Sequence, residues 1–312
     1  MLDKAPEYHV PVLGPEVVQH LITDPGGTYV DATLGGGGHA ELILAQLSSE
    51  GRLIGVDRDP VAISTTSQRL ARFGSRFDQQ QGPFRQLPEM LGSLGVEGLD
   101  GALFDLGVSS RQIDDAARGF SYRQDGPLDM RMGPDATRTA EQVVNEYSDR
   151  DLTRVFREYG EERAAGRIAK AICRARSEER IESTPQLADL IASQVPARYA
   201  TKSQARIFQA IRIEVNEELE HLEATLNAVV DRLNDGGRLA ILTYHSLEDR
   251  IAKRVVRGTP ISDLPRDFPV SDPAAGKMKE IVPRGVTPTD EEIAANPRAR
   301  SAKLRVGERV MC

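Results

Sequence analysis

Four consecutive glycines, Gly35 to Gly38, stand between two patterned segments. Before them runs Thr28-Tyr29-Val30-Asp31-Ala32-Thr33, β-branched and aromatic; after them runs Ala40-Glu41-Leu42-Ile43-Leu44-Ala45-Gln46-Leu47, apolar and helical in pattern. The stretch predicts a strand, a glycine turn and a helix. Glycine loses more conformational entropy on folding than any other residue, so four in a row are hard to explain by turn geometry alone. They let a backbone approach a bound cofactor closely. They also satisfy the pattern G-x-G-x-x-A, and Asp57 follows Gly38 by 19 residues at the end of a second apolar strand, Arg52 to Asp57. An acid in that place can accept hydrogen bonds from both hydroxyls of a ribose. Up to this point a dinucleotide and S-adenosylmethionine fit equally well, and a tight turn beside an aspartate that caps a helix is the weaker alternative.

Two further apolar strands are expected, Gly101 to Asp105 and Gly237 to Tyr244, the second running into His245 and Ser246. Strands separated by helix-length segments imply an α/β fold with a doubly wound, mostly parallel sheet, whose ligand site lies at the carboxyl ends of the strands. Asp57, Asp105, His245 and Ser246 all fall at such ends. About 125 residues separate the third of these strands from the fourth, more than one crossover helix needs. The excess reads as helical: Thr139 precedes Ala140-Glu141-Gln142 as a capping box, Ser148 precedes Asp149-Arg150-Asp151, and Pro185 stands near a helix start. From Phe208 to Leu233 apolar residues recur at spacings of three and four, which predicts one long helix leading straight into the next strand. The expected organisation is a discontinuous sheet domain, residues 1–112 and 203–312, with a helical insertion at 113–202. Gly258 to Pro297 is Pro-rich and reads as a surface loop, and the alternation of Ala302, Leu304 and Val306 predicts a strand with Lys303 and Arg305 on its solvent side.

Composition narrows the function classes. A net charge of −7 argues against a general affinity for nucleic acid, so any RNA surface must be a local patch. Two segments qualify, Arg150 to Arg180, in which glutamates are interleaved, and the tail carrying Arg298, Arg300, Lys303, Arg305 and Arg309. No apolar run approaches the ~20 residues that span a bilayer, and Met1 to Pro15 does not read as a signal peptide, so a cytoplasmic protein without a membrane partner is expected. Cys173 and Cys312 are too few for a disulfide framework, and no metal-binding spacing of His and Cys occurs; no metal is expected.

Longer motifs break the tie between cofactors. Asp105-Leu106-Gly107-Val108-Ser109-Ser110-Arg111-Gln112-Ile113-Asp114-Asp115, Arg118-Gly119-Phe120-Ser121-Tyr122, Gly126-Pro127-Leu128-Asp129-Met130-Arg131-Met132 and His245-Ser246-Leu247-Glu248-Asp249-Arg250 occur in that order. With His9-Val10-Pro11-Val12-Leu13, Phe208-Gln209-Ala210 and Asn296-Pro297-Arg298-Ala299-Arg300-Ser301, they closely resemble the bacterial small-subunit ribosomal RNA methyltransferase H family, the MraW-like cytosine N4-methyltransferases, over nearly the whole chain. Arg111 stands where that family usually has proline, Tyr244 where it has phenylalanine, and Lys202 to Arg206 replaces a stretch that usually contains His-Pro. The resemblance implies a class I, Rossmann-like methyltransferase domain with an inserted helical substrate-recognition domain. It implies methyl transfer from S-adenosyl-L-methionine to the exocyclic N4 amino group of a cytidine in the decoding region of 16S ribosomal RNA, within the small subunit. It also implies cofactor contacts at Gly37, Gly38, His39, Asp57, Phe84, Asp105 and Gln112.

Each of these residues has a plainer structural reading. Gln112 follows Ser109 by three residues, as in a capping box, and Ser246 with Asp249 can cap a helix. Phe84 can be core, although Gly82-Pro83 before it suggest a loop in which an aromatic covers an adenine face, and His39 offers either its ring or only its N–H. Catalysis on an amino group needs alignment and a hydrogen-bond acceptor. Asp105, at the strand end where many amino-methyltransferases carry an Asp-Pro-Pro-Tyr-like motif, is the expected acceptor, with His245 and Ser246 as candidates for holding the base. Methylation at carbon 5 needs a thiolate instead, and neither cysteine is placed for it.

Overall fold

A computed structural model describes residues 11–258 and 276–310. His9, Val10, Cys312 and residues 259–275 of the Pro-rich segment lie outside that set. Helix α1 (Gly14–Leu21) starts after Leu13, which takes a left-handed conformation at φ 51 and donates its N–H to the Glu292 carboxylate at 2.8 Å. Strand β1 (Thr28–Asp31) runs through the glycine turn into α2 (Gly38–Gln46), and β2 (Arg52–Asp57) is followed by α3 (Pro60–Leu70). Asp59 caps α3, accepting the Val61 N–H at 3.0 Å. Strand β3 (Phe77–Gln81), α4 (Leu87–Ser93) and β4 (Leu99–Asp105) complete the first half of the sheet unit.

The chain from Val108 to Glu220 forms a separate compact unit. Its helices are α5 (Ser110–Asp114), α6 (Ala140–Glu146), α7 (Asp149–Glu158), α8 (Ala165–Glu178), α9 (Thr184–Ser193) and α10 (Ala197–Asn216). Thr139 with Gln142 and Ser183 with Gln186 form reciprocal capping boxes, and Ser148 caps α7. Val143, Leu152, Phe156, Ile168, Ile172, Leu187, Ile191, Ile207, Phe208 and Ile211 fill its core; each contributes roughly 1.5–3 kcal/mol by burial.

From His221 the chain rejoins the sheet unit through α11 (Leu222–Val230), β5 (Leu233–Thr243), α12 (Ser246–Val256), β6 (Met278–Glu280), α13 (Asp290–Ala295) and β7 (Lys303–Arg309). The seven strands lie in the order β3-β2-β1-β4-β5-β7-β6. The first five are mutually parallel, and β7 runs antiparallel to both of its neighbours.

Four expectations need correction. The helix expected from Phe208 to Leu233 is two helices, because Glu217 adopts a left-handed conformation at φ 53 and ends α10. Since Ile207, Phe208, Ile211 and Val215 of α10 sit in the helical core, the insertion spans 108–220 rather than 113–202. The Pro-rich segment is not all loop, for it contains β6 and α13. Arg305 does not face solvent: it is 3% exposed, with its guanidinium clamped on Asp249 at 2.7 and 3.0 Å and near Glu280 at 3.3 Å. Helix α12 packs on the Arg305 face of β7, while Leu304 and Val306 on the other face join the core that includes Val17 and Leu21 of α1, so both of its faces are covered.

Candidate active site

The glycine turn is built for close approach. Gly35 and Gly37 have φ of 49 and 76, and a Cβ on Gly37 would stand 2.8 Å from Thr66 Cγ2. Gly37 is therefore required both by its conformation and by the space around it. Nothing lies within 4 Å of where a Gly36 side chain would be. The Gly35 N–H donates to Asp57 Oδ2 at 2.7 Å, and the Asp59 N–H donates to Oδ1 at 2.8 Å. Each carboxylate oxygen of Asp57 has a second lone pair, so two hydroxyls of a ribose can be accepted in addition. Burial pushes the Asp57 carboxyl up, against the pull of these two backbone N–H groups. The Gly82 N–H donates to the Asp57 carbonyl at 2.9 Å, which ties the turn carrying Phe84 to the end of β2. The Phe84 ring is partly exposed and packs edge-on against buried Phe104, with centroids 6.0 Å apart, leaving an aromatic surface on that turn.

A second cluster gathers at the carboxyl ends of β1, β4 and β5. His39 Nδ1 lies 3.5 Å from Asp105 Oδ2, and His39 Nε2 lies 2.9 Å from the Val12 carbonyl. The Tyr244 hydroxyl donates to Asp105 Oδ1 at 2.8 Å. Asp31, 1% exposed, accepts the Thr33 N–H at 3.1 Å. Burial pushes the Asp31 carboxyl up to about 7, with His39 and the Thr33 N–H pulling it down. The Asp105 carboxyl is also raised by burial, against His39 and the Tyr244 hydrogen bond.

Gly37, Gly38, His39, Asp57, Phe84 and Asp105 thus lie on adjacent strand ends of one unit. Gln112 belongs to the helical unit, where it forms a capping box with Ser109: its N–H meets Ser109 Oγ at 3.2 Å and its side-chain oxygen accepts the Ser109 N–H at 3.0 Å. His245 caps α12. Its Nδ1 accepts the Glu248 N–H at 3.4 Å, and its Nε2 lies 3.1 Å from Glu248 Oε1 without hydrogen-bond alignment. The ring of His245 is thereby engaged with buried Glu248, while Ser246 is exposed at the first position of α12. Asp31 and the Tyr244 hydroxyl were not singled out as site residues from the sequence. An acid ending the first strand was the available signal for Asp31, and a tyrosine departing from the family's phenylalanine was the signal for Tyr244.

A parallel five-strand core extended by an antiparallel β7, with a glycine turn after β1 and an acid closing β2, defines a class I, Rossmann-like methyltransferase domain. Residues 7–310 match the MraW methylase family. A protein of Carboxydothermus hydrogenoformans named ribosomal RNA small subunit methyltransferase H is 46% identical over 308 residues, covering 97% of this chain and 98% of its own. The protein of that name from Thermobifida fusca is 48% identical over 308 residues, 96% of this chain and 93% of its own. The chain belongs to the MraW methylase family.

Proposed function

We propose that this protein transfers the methyl group of S-adenosyl-L-methionine to the exocyclic N4 amino group of a cytidine in the decoding region of 16S ribosomal RNA, acting on the small subunit in the cytoplasm. The names of the relatives support a ribosomal RNA substrate. The cofactor supplies an electrophilic methyl on a sulfonium. Asp57 holds its ribose, Phe84 covers its adenine, and the backbone of Gly37, Gly38 and His39 lies against the rest. These assignments rest on the two spare lone pairs of Asp57 and the open space at Gly36.

The observation that carries the choice of an amino target is Asp105, a partly buried carboxylate at the end of β4. The lone pair of a cytosine amino group is delocalised into the ring, so the group must be aligned and its hydrogens accepted. Asp105 is an acceptor held on Oδ1 by the Tyr244 hydroxyl, with His39 Nδ1 3.5 Å from Oδ2. Carbon-5 chemistry would need a thiolate, and Cys173 instead packs against the core of the helical unit. His245 and Ser246 are the candidate contacts for the base. RNA backbone contact is supported by α7, α8 and the turn between them: among the described residues Arg150, Arg157, Arg163, Arg167, Lys170 and Arg174 are exposed and make no ion pair. By contrast, Arg154 and Arg180 are engaged by glutamates. Residues 167, 170 and 174 of α8 follow helical spacing, so these cations share one face.

The test is to incubate the protein with isotope-labelled S-adenosylmethionine and small ribosomal subunits, digest the RNA and identify the labelled nucleoside by mass spectrometry. N4-methylcytidine is expected. Label on carbon 5 or on a ribose oxygen, or no label in RNA, would refute the reading.

A further inference from the structure

Tyr244 is fixed at both ends. Its N–H donates to Glu248 Oε2 at 2.8 Å, and its hydroxyl donates to Asp105 Oδ1 at 2.8 Å. The other oxygen of Asp105 faces His39 Nδ1 at 3.5 Å. His39 Nε2 points at the Val12 carbonyl at 2.9 Å. A carbonyl can only accept, so that nitrogen carries the hydrogen in either charge state of the ring. The nitrogen left bare in the neutral ring is therefore Nδ1, the one aimed at Asp105. Burial and the Asp105 carboxylate push the Tyr244 phenol well above its ordinary range, so it remains a donor.

We propose that Tyr244 is a positioning residue for methyl transfer: its hydroxyl fixes the Asp105 carboxylate as the group that takes the proton leaving the substrate amino nitrogen, with His39 behind it as the second station for that proton. The proposal rests on the amino-methylation reading above. The proton balance closes without any other reagent. The nitrogen lone pair bonds to the methyl carbon while the carbon–sulfur bond breaks onto sulfur, and the resulting cation sheds one proton. Asp105 accepts it; the proton on Oδ2 is shared with the bare Nδ1 of His39 opposite, and it leaves to solvent from Asp105, 27% exposed against 7% for His39. The hydrogen of Tyr244 stays on Tyr244. A phenylalanine at this position would keep the ring and remove only the donor.

The charged and titratable groups facing Asp105 are His39 from α2, Tyr244 after β5, Glu248 from α12 and Asp31 from β1. Tyr244→Phe removes the one that stabilises the ionised carboxylate by a neutral hydrogen bond, so the Asp105 carboxyl should become harder to ionise. The experiment is the pH profile of kcat for methyl transfer to small ribosomal subunits, for the parent, Tyr244→Phe and Asp105→Asn. For Tyr244→Phe the acid limb should move about one pH unit higher, with kcat on that limb falling up to about tenfold and recovering above it, while KM for either substrate changes by less than about twofold. A merely structural tyrosine would lower the rate at every pH or raise KM without moving the limb, and that result, or an unchanged profile, would overturn the proposal. Asp105→Asn separates the two levels: if it keeps parental activity, the reading of Asp105 itself fails. If it is inactive while Tyr244→Phe keeps the parental limb, only the role of Tyr244 falls. Calorimetric titration with S-adenosylmethionine confirms that each variant is folded.

Discussion

Replacing Asp31 by asparagine should flatten the dependence of stability on pH. In the folded protein the Asp31 carboxyl titrates at about 7, against 3.8 for an exposed carboxyl, chiefly because it is buried. Burial favours its protonated form, so the stability it contributes is fully present below 3.8 and is lost as pH rises through about 7. Over that window the folded state holds a proton that the unfolded chain has already released. Stability then falls by about 1.4 kcal/mol per pH unit, or about 3 kcal/mol between roughly pH 5 and pH 8. Proton sharing with His39 and Asp105 makes this an upper limit. Asparagine has nearly the same shape, keeps an oxygen for the Thr33 N–H and does not titrate. Urea unfolding of parent and Asp31→Asn at the two pH values, taken as a difference of differences, removes every other titrating group. A parent that loses no more stability than the variant over this range would refute the burial argument for Asp31.

Asp57→Ala should weaken S-adenosylmethionine binding by about 1.5–3 kcal/mol, the range for hydrogen bonds to a charged acceptor; unchanged affinity by calorimetry would remove Asp57 from the ribose site. Arg157→Gln with Lys170→Gln should weaken binding of a ribosomal RNA fragment and lower the slope of log K against log salt by roughly 1.5, with cofactor affinity intact; identical slopes would show that this groove does not meet phosphates. Arg305→Ala should cost about 3–5 kcal/mol by leaving Asp249 and Glu280 beside an empty site, seen as a lower unfolding midpoint. Wild-type stability there would mean that the buried pairs contribute nothing net.

What could be read from the residues followed the two-sided burial of the central sheet. Strands β1, β2, β4 and the latter part of β5 are covered on both faces and so appear as apolar runs. Edge strand β3, Phe-Asp-Gln-Gln-Gln, is partly exposed throughout, and no pattern announces it. The caps at Thr139 and Ser148 and the helix start at Pro185 were legible because such signals are local. The break at Glu217 was not, since a non-glycine residue in the left-handed region is held by its surroundings rather than by its own preference. At the site, Gly37 and Asp57 lie within one strand–turn–helix–strand unit and follow a spacing rule. Asp105 and Tyr244 are 139 residues apart, and only the strand order brings them together. Arg305 misled because alternation tells which side of a strand is apolar, not whether a helix covers the other side.

The position of the insertion also governs how this chain must come off the ribosome. Strand β4 lies between β1 and β5, yet β5 begins at Leu233, 128 residues after Asp105. At about 5–20 residues per second, β4 has its second partner missing for roughly ten seconds. Its backbone edge, carrying buried-type residues Leu99, Leu103 and Phe104, is for that interval an open template for wrong pairing. What is synthesised meanwhile is a helical unit whose contacts are short in sequence and therefore quick to form. The nascent sheet must wait, half built, for a finished neighbour to be made in the middle of it.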